Sequence, residues 1–429
     1  MSRLSNNDSW QPMDFEFVST VLANTLYNVK NKRIPTRKAF ALTCEQNTCS
    51  NREIQREELY HLARAFISDF YKLRYIAEKF GKKNPSNRLL ARLFLYLYFM
   101  DRGLSASPRL MKTIKRDFPY LEEETVEMEN WAKLSYPEWF YEKLASLLSI
   151  EDAEKLLNAL NKRVLWIRVN TLKVDLDKAI RKLEDESVEF EVCKDIPFLL
   201  KVLKYRKPIR SSTLFREGAI IPQDKASVLV VLALLPEPGM TIYDFAAAPG
   251  IKTSLIMQLT ENKARVIALD SSRRRLDAMR NLLKLYGVNN SRVDLVLTDS
   301  RTVSLNRIAD SALIDAPCSS SGAISRDPAI KIFLEKNDVV YRMKELQVSI
   351  LHNALQHVDN AVYATCSLMP EEGEEVVLEV QKRGVEHGVV EPAINASKGY
   401  RKYDIWLKVR RTLPHVDESE GFFIARLER

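Results

Sequence analysis

The sequence predicts an α/β protein built on a doubly wound, largely parallel sheet, preceded by a small α/β unit and an all-α N-terminal part. Three observations predict it. From about Arg216 onward, short apolar runs alternate with helix-period segments. Residues 14 to 120 carry helical periodicity throughout, and between these two regions the pattern changes at about Leu134. The 429 residues leave room for two or three domains at roughly 150 residues each.

In the first region, REELYHLARAFISDFYKLRYIAEKF places Leu59, Leu62, Ala63, Phe66, Phe70, Leu73 and Ile76 at helical spacing. NRLLARLFLYLYFM is apolar nearly all round, the pattern of a helix buried at the centre of a bundle. Pro85, Ser86 and Asn87 break the chain before it. The acidic LEEETVEMEN marks a boundary and sets a first domain at residues 1–125. SYPEWFYEKLASLLSI then reads as a helix with Pro137 in its first turn. VLWIRVNTLK reads as a strand, DLDKAIRKLED as a helix and VEFEVCKD as a strand, a small α/β unit over 126–215. In the last region, 216–429, the strands are TIYDFAAA, ARVIALD, VDLVLTD, SALIDAP and NAVYATCS. Helical segments such as SSRRRLDAMRNLLKLYG lie between them, with Leu276, Met279, Leu283 and Tyr286 on one face, and the chain closes on GFFIARLE. Apolar strands alternating with helices describe a parallel sheet covered on both faces.

Composition narrows the class. With 46% hydrophobic and 28% charged residues the chain can bury a core. No stretch approaches the ~20 apolar residues of a membrane span. MSRLSNNDSW has no apolar core of a signal peptide. Five cysteines (Cys44, Cys49, Cys193, Cys318 and Cys366) without framework spacing fit a reducing compartment, so a cytoplasmic protein is expected. The histidines His61, His352, His357, His387 and His415 are scattered, and CEQNTC lacks a second ligand pair, so no metal is expected. Net charge is +8, but residues 1–120 hold 21 Lys+Arg against 11 Asp+Glu, a net of +10 against −2 for the rest. Such a basic region is suited to a polyanion. A solubilising surface is the plainer reading of the same charge.

Ligands of parallel sheets bind at the carboxyl ends of the strands, and these ends carry the informative residues. The first strand runs into Ala246, Ala247, Ala248, Pro249, Gly250, Ile251 and Lys252, small residues leading into a helix N-terminus that favours an anion. This is neither the dinucleotide glycine fingerprint nor a Walker loop. The second strand ends in Asp270, placed to accept ribose hydroxyls, and the third in Asp299, placed to meet an adenine amino group. Singly, each aspartate is more often an N-cap or turn residue. In order, they point to an adenosine-containing cofactor. Asp315 ends the fourth strand, three residues before Cys318, and Cys366 ends the fifth. On residue type alone each cysteine is a nucleophile or a small packed thiol.

DFAAAPGIKT, TDS, DAPCSSSG and YATCSLMPEEGEEVV resemble the NOL1/NOP2/Sun family of RNA cytosine-5 methyltransferases. SYPEWF, RVNTLK, IPQDKAS and LPHVDESEGFFIARL extend the resemblance over residues 134 to 429. It departs at Ala246 and Ile251, where the family usually has Cys and Gly, and at Gly373, where it usually has Asn. The resemblance implies a Rossmann-like S-adenosylmethionine-dependent methyltransferase sheet preceded by a small RNA-binding α/β unit, and the helical part is similar to the NusB-like domain of some members. It also implies that Cys366 attacks C6 of a cytosine, that Cys318 helps release the product, that Asp315 meets N3, and that Lys252 positions the cofactor or the base. Residues Ala246 to Lys252, Asp270, Arg275, Asp299 and Asp315 would hold S-adenosylmethionine. The expected partner is RNA, ribosomal slightly ahead of transfer RNA, with the protein acting as a monomer. DNA cytosine-5 methyltransferases use the strand-four cysteine instead, so a DNA enzyme working through Cys318 is one alternative. An idle RNA-binding assembly factor is another. A free thiol near pKa ~8.5 becomes mostly thiolate at neutral pH after a shift of ~2 units, about 2.7 kcal/mol. A helix opening at Pro370 would supply part of it to Cys366.

Overall fold

The computed structural model describes residues 14–47, 49, 55–104, 106–121, 126–306 and 309–429. It divides into two compact units: residues 1–161 with 324–337, and residues 162–323 with 338–429. The first unit is therefore discontinuous. It takes in a segment that lies in sequence just after DAPCSSSG.

In the first unit the all-round apolar helix, Asn87–Met100, buries Leu90, Ala91, Leu93, Phe94, Leu95, Tyr96 and Phe99. Ser86 caps it by accepting from the Leu89 amide. All seven apolar positions read from the first helical pattern are buried, but the chain forms two helices, Arg56–Ser68 and Phe70–Lys79, with Asp69 (φ −91°, ψ 9°) between them. Ala329 and Ile332 of the late segment join the same apolar core. That segment is fastened through polar contacts as well. Asp327 accepts from the Thr36 amide and hydroxyl, Arg64 donates to the Ser325 and Arg326 carbonyls, and Trp139 Nε1 donates to the Leu334 carbonyl at 2.8 Å. Cys44 and Cys49, read in the sequence as reduced thiols, are joined as a disulfide. The helix Thr36–Gln46 ends between them and the following turn brings their Cα atoms to 5.0 Å.

The second unit holds two sheets. Strands β1 (Leu165–Val169), β2 (Glu189–Cys193), β3 (Ile196–Lys204) and β4 (Ile220–Pro222) form an antiparallel sheet in the order β2-β3-β1-β4. β5 (Thr241–Phe245), β6 (Arg265–Asp270), β7 (Val293–Leu297), β8 (Ser311–Asp315) and β9 (Asn360–Thr365) are the five strands read in the sequence. They run parallel in the order β9-β8-β5-β6-β7. Beyond β9 the sheet turns antiparallel through β13 (Phe422–Glu428), which pairs with β10 (Gly388–Val390) and β12 (Arg410–Thr412); β11 (Ser397–Lys398) is the outer edge.

Strand alternation sorts the core into two layers. Ile242, Ala268, Leu313 and Val362 face the helices Lys225–Leu234, Ile251–Leu259 and Arg273–Leu285. Tyr243, Phe245, Leu269, Ile314 and Tyr363 face Asp338–Ala354 and Glu374–Lys382. The register sets Phe245 level with Leu269 and Ile314, and Asp315 level with Ala364, so the chain leaves neighbouring strands side by side. Arg168 of β1, fully buried, clamps the helix Ile251–Leu259. Its Nη1 donates to Gln258 Oε1 at 2.6 Å and its Nη2 to Ser254 Oγ at 2.7 Å. Burial without a carboxylate partner pulls this guanidinium down to about 9. Among the described residues no helix is long and apolar enough to cross a membrane.

Candidate active site

The loop after β5 turns sharply. Ala246 (φ 59°) and Gly250 (φ 94°) are both left-handed, and Gly250 caps the helix Ile251–Leu259. A Cβ at Gly250 would lie 2.8 Å from Met279 Cγ, so close packing as well as φ selects glycine there. Ile251 is already helical, so the position where the family has a second glycine needs no positive φ. Beneath the loop, Thr253 donates to the buried Asp244 at 2.6 Å, and burial pushes that carboxyl up to about 7.

Asp270 is all but buried. It accepts from the Ala248 amide at 3.2 Å and the Ser272 amide at 2.9 Å, with Arg275 Nη2 at 3.4 Å. Arg275 also donates to the Ala248 carbonyl, so the pair fastens the loop's last turn from the β6 side. Asp299 differs: it is two-fifths exposed, and its Arg301 partner holds the carboxyl down to about 2. Asp315 and Lys252 form an ion pair at 2.5 Å, with the lysine side chain 12% and the aspartate 31% exposed. Lys252 Nζ also lies 5.5 Å from the Phe422 ring centre.

The two cysteines meet. Cys318, three residues past β8, and Cys366, one past β9, have their Sγ atoms 3.2 Å apart. The Cys366 carbonyl accepts from the Gly322 amide, and Cys366 Sγ lies 3.5 Å from Ser320 Oγ. The Cys318 thiol is pushed well above its ordinary value by the hydrogen bond to Cys366, by burial, and by the charges of Cys366 and Glu372. The helix dipole expected behind Cys366 is displaced: Pro370–Glu372 is a 3-10 turn, and the α-helix begins only at Glu374 with two acids in its first turn.

The geometry thus joins Lys252 to Asp315, Cys318 to Cys366, and Asp270 to Arg275 and the β5 loop. Asp299 stands apart with Arg301. Several supporting residues had no separate reading in the sequence. Glu372 is buried and bonds to Ser319, Ser367 and Gln347. Arg411 and Glu374 form a fully buried ion pair at 2.5 Å. The two glutamates stand in PEEGEE, a run that looks like a solvated helix start; paired acids directly before the apolar EEVVLEV pattern are the signal that was there.

A parallel five-strand run, with a small-residue loop after its first strand and acids at the next tips, defines a Rossmann-like methyltransferase. Residues 231–428 match the sequence profile described as 16S rRNA methyltransferase RsmB/F, and residues 136–207 match the ferredoxin-like domain of RsmF/B-like methyltransferases. The chain belongs to this family of NOL1/NOP2/Sun methyltransferases. It is 30% identical over 318 residues to the probable ribosomal RNA small subunit methyltransferase B of Coxiella burnetii, covering 71% of this chain and 70% of that one. It is 30% identical over 316 residues to the 25S rRNA (cytosine-C(5))-methyltransferase nop2 of Schizosaccharomyces pombe, covering 70% of this chain and 52% of the relative. The crystal structure of NSun6 from Pyrococcus horikoshii with SFG superposes with a TM-score of 0.61 at 26% identity, over 68% of this chain and 98% of that one.

Proposed function

We propose that this chain transfers a methyl group from S-adenosylmethionine to C5 of a cytosine in ribosomal RNA, through a covalent bond between Cys366 and C6. The carrying observation is the contact of the two thiols at adjacent strand tips, beside a lysine-held aspartate. Carbon 5 of cytosine is a weak nucleophile. Addition of the Cys366 thiolate to C6 turns the ring into an enamine as N3 takes up a proton relayed by the Lys252–Asp315 pair, and Asp315 then accepts the N3–H bond. Lys252 keeps Asp315 in place. After C5 is methylated, a base, with water sufficient, takes the C5 proton, and the freed electron pair restores the C5–C6 double bond as the Cys366 sulfur leaves. Cys318 is in contact with that sulfur and is placed to assist its departure.

S-adenosylmethionine supplies an electrophilic methyl group when bound. The residues present suit it. The β5 loop offers main-chain N–H groups at a helix start, and the acids at successive strand tips suit an adenosine and a cationic amino acid. Ala246 to Lys252, Asp270, Asp299 and Asp315 would hold it; Arg275 closes over Asp270 and would shift for a ribose to reach that carboxylate. A structural relative solved with SFG, an analogue of this cofactor, supports the assignment. The basic helical unit would contact RNA phosphates, and the reaction would take place in the cytoplasm. The presence of both thiols, in contact at adjacent strand tips, speaks against the DNA-type alternative, in which Cys318 would be the attacking thiolate.

Bisulfite sequencing of cellular RNA with and without the gene tests the proposal. One or a few ribosomal cytosines should become convertible when the gene is lost. No change at any cytosine, in ribosomal or transfer RNA, would overturn it.

A further inference from the structure

Around Glu372 the hydrogen-bond directions can be followed donor by donor. The Met369 amide donates to Ser367 Oγ at 3.1 Å and the Leu368 amide to Ser321 Oγ at 3.0 Å. Each of these hydroxyls is therefore already an acceptor, and its own proton points onward. Ser321 passes its proton to Ser367 Oγ at 3.0 Å, and Ser367 donates to Glu372 Oε2 at 2.5 Å. Ser319 Oγ, which lies 3.4 Å from the Ser321 amide, donates to the same Oε2 at 2.5 Å. On the other oxygen, the Ser319 amide at 2.7 Å and Gln347 Nε2 at 3.1 Å are both donors. Four donors converge on one side chain, which is the environment of a carboxylate acting only as an acceptor. Burial raises Glu372 above the ordinary carboxylate range, and its serine and glutamine donors oppose that rise.

The two serines are not arbitrary. Ser319 follows Cys318 and Ser367 follows Cys366, so one carboxylate spans both cysteine loops at the residues next to the sulfurs. We propose that Glu372 is the positioning residue of the cysteine pair: through Ser319 and Ser367 it holds the two thiols in contact, and it sets a fixed negative charge behind Cys318. Both Glu372 oxygens bond to Ser319, one through the amide and one through the hydroxyl, against a single bond to Ser367, so the charge bears more on Cys318 than on Cys366. Glu372 touches neither the cysteine sulfurs nor, on this reading, the substrate, and acts through its neighbours. The inference rests on the assignment of Cys318 and Cys366 as the working pair.

Thiol reactivity without RNA or cofactor tests it, so an error in the substrate would leave the outcome unchanged. The full chain would be labelled with iodoacetamide between pH 6 and 10, and Cys318, Cys366 and Cys193 quantified separately by peptide mass spectrometry. Cys193 serves as the internal reference. In the wild type, Cys318 should label at higher pH than Cys366. Glu372→Gln keeps the shape and removes the charge; it should raise Cys318 labelling at pH 8 by about tenfold, the effect of one pKa unit. Cys193 should be unchanged, and Glu372→Asp should restore the wild-type order in part. In turnover, Glu372→Gln should lower kcat and leave the KM for RNA alone. A Cys318 profile that is the same in the wild type and Glu372→Gln would overturn the proposal. So would an equal rise at all three cysteines accompanied by a lower melting temperature, which marks general loosening. Thermal melts of each variant separate that case. If Glu372→Gln fails to fold, Ser319→Ala, which cuts the hydroxyl link from Glu372 to the Cys318 loop, should shift the Cys318 profile relative to Cys193, and an unshifted profile overturns the proposal.

Discussion

The loops that carry Cys318 and Cys366 leave adjacent parallel strands and meet at their sulfurs, yet they are secured in opposite ways. The Cys366 loop is anchored by charge within its own unit. Arg411 donates to Glu374 through Nε at 2.9 Å and to the Ser367 carbonyl through Nη1 at 3.1 Å, and its guanidinium lies 4.1 Å from the Tyr400 ring centre. Burial opposes the Arg411 charge, but the Glu374 carboxylate more than offsets it and holds the guanidinium above its ordinary value. The Cys318 loop runs through three serines and Gly322, and the chain then passes into the helical unit. Among the described residues, the oxygens bonded to the buried Lys331 ammonium beyond it are neutral: Asn161 Oδ1 at 2.7 Å, the Ser68 carbonyl at 2.9 Å and Ser68 Oγ at 3.5 Å, with the Tyr136 ring centre at 4.0 Å. Burial pulls its ammonium down to about 7, against the pull of the Asp69 charge. A buried cation bonded to a carboxylate keeps its proton; one bonded to neutral groups, as at Lys331 and Arg168, holds it less tightly.

The sharpest way to break the comparison is to remove each sulfur in turn. Cys366→Ala should abolish methylation and form no covalent RNA adduct. Cys318→Ala should also lose turnover but accumulate an adduct that survives a denaturing gel and requires S-adenosylmethionine. Adduct in Cys366→Ala with none in Cys318→Ala would reverse the roles of the loops. Asp315→Asn keeps the shape of the third partner and should slow methylation by ~10²–10⁴, the usual size of an acid–base contribution; single-turnover rates with saturating RNA measure this.

The anchors can be tested without catalysis. Arg411→Met strands the Glu374 carboxylate in a dry site and should cost about 3–5 kcal/mol of stability by denaturant unfolding. A loss below about 1 kcal/mol would mean that the pair is not what secures the Cys366 loop. At Lys331 the effect is confined to a window of pH. Its folded pKa lies below its unfolded value, so between about pH 7 and about pH 10 the unfolded chain holds a proton that the folded chain has released. Stability from this group therefore rises with pH across that window and is flat below it. Asp69, Arg64, Tyr71 and Tyr136 also face this region, so the wild type should be compared with Lys331→Met. The stability difference between the two should drift with pH in the window; parallel pH curves would remove Lys331 from the account.

What the sequence showed and what it hid follow from the range of the interactions. The five parallel strands and their tip residues were legible because strand, turn and helix patterns are local, and DAPC and TCS stand next to them. β10, β11 and β12 have two or three residues each, too few for an alternation to register. β3 was missed because IPFLLKVLK is apolar without a clean period. The pairing of Glu374 leaves no local sign, because Arg411 lies 37 positions on. Gly373 shows the same limit. A Cβ there would lie 2.7 Å from Arg411 Nη2 and 2.8 Å from the Phe423 ring, so the family's asparagine does not fit this packing. The departure was visible; its cause lay two strands away.

The discontinuity of the helical unit also has a consequence in time. A ribosome delivers the chain from the N-terminus at roughly 5–20 residues per second. The helices up to Asn161 emerge well before Ile324–Asn337, whose Ala329 and Ile332 belong to their core. Until Asn337 has cleared the exit tunnel, that core has an open apolar slot. The unit that begins first is completed late, after most of the sheet's parallel strands have been made. A nascent chain stalled before Ile324 should therefore present an incomplete bundle, and it is at this stage of synthesis, more than in the finished protein, that the helices would call for a chaperone.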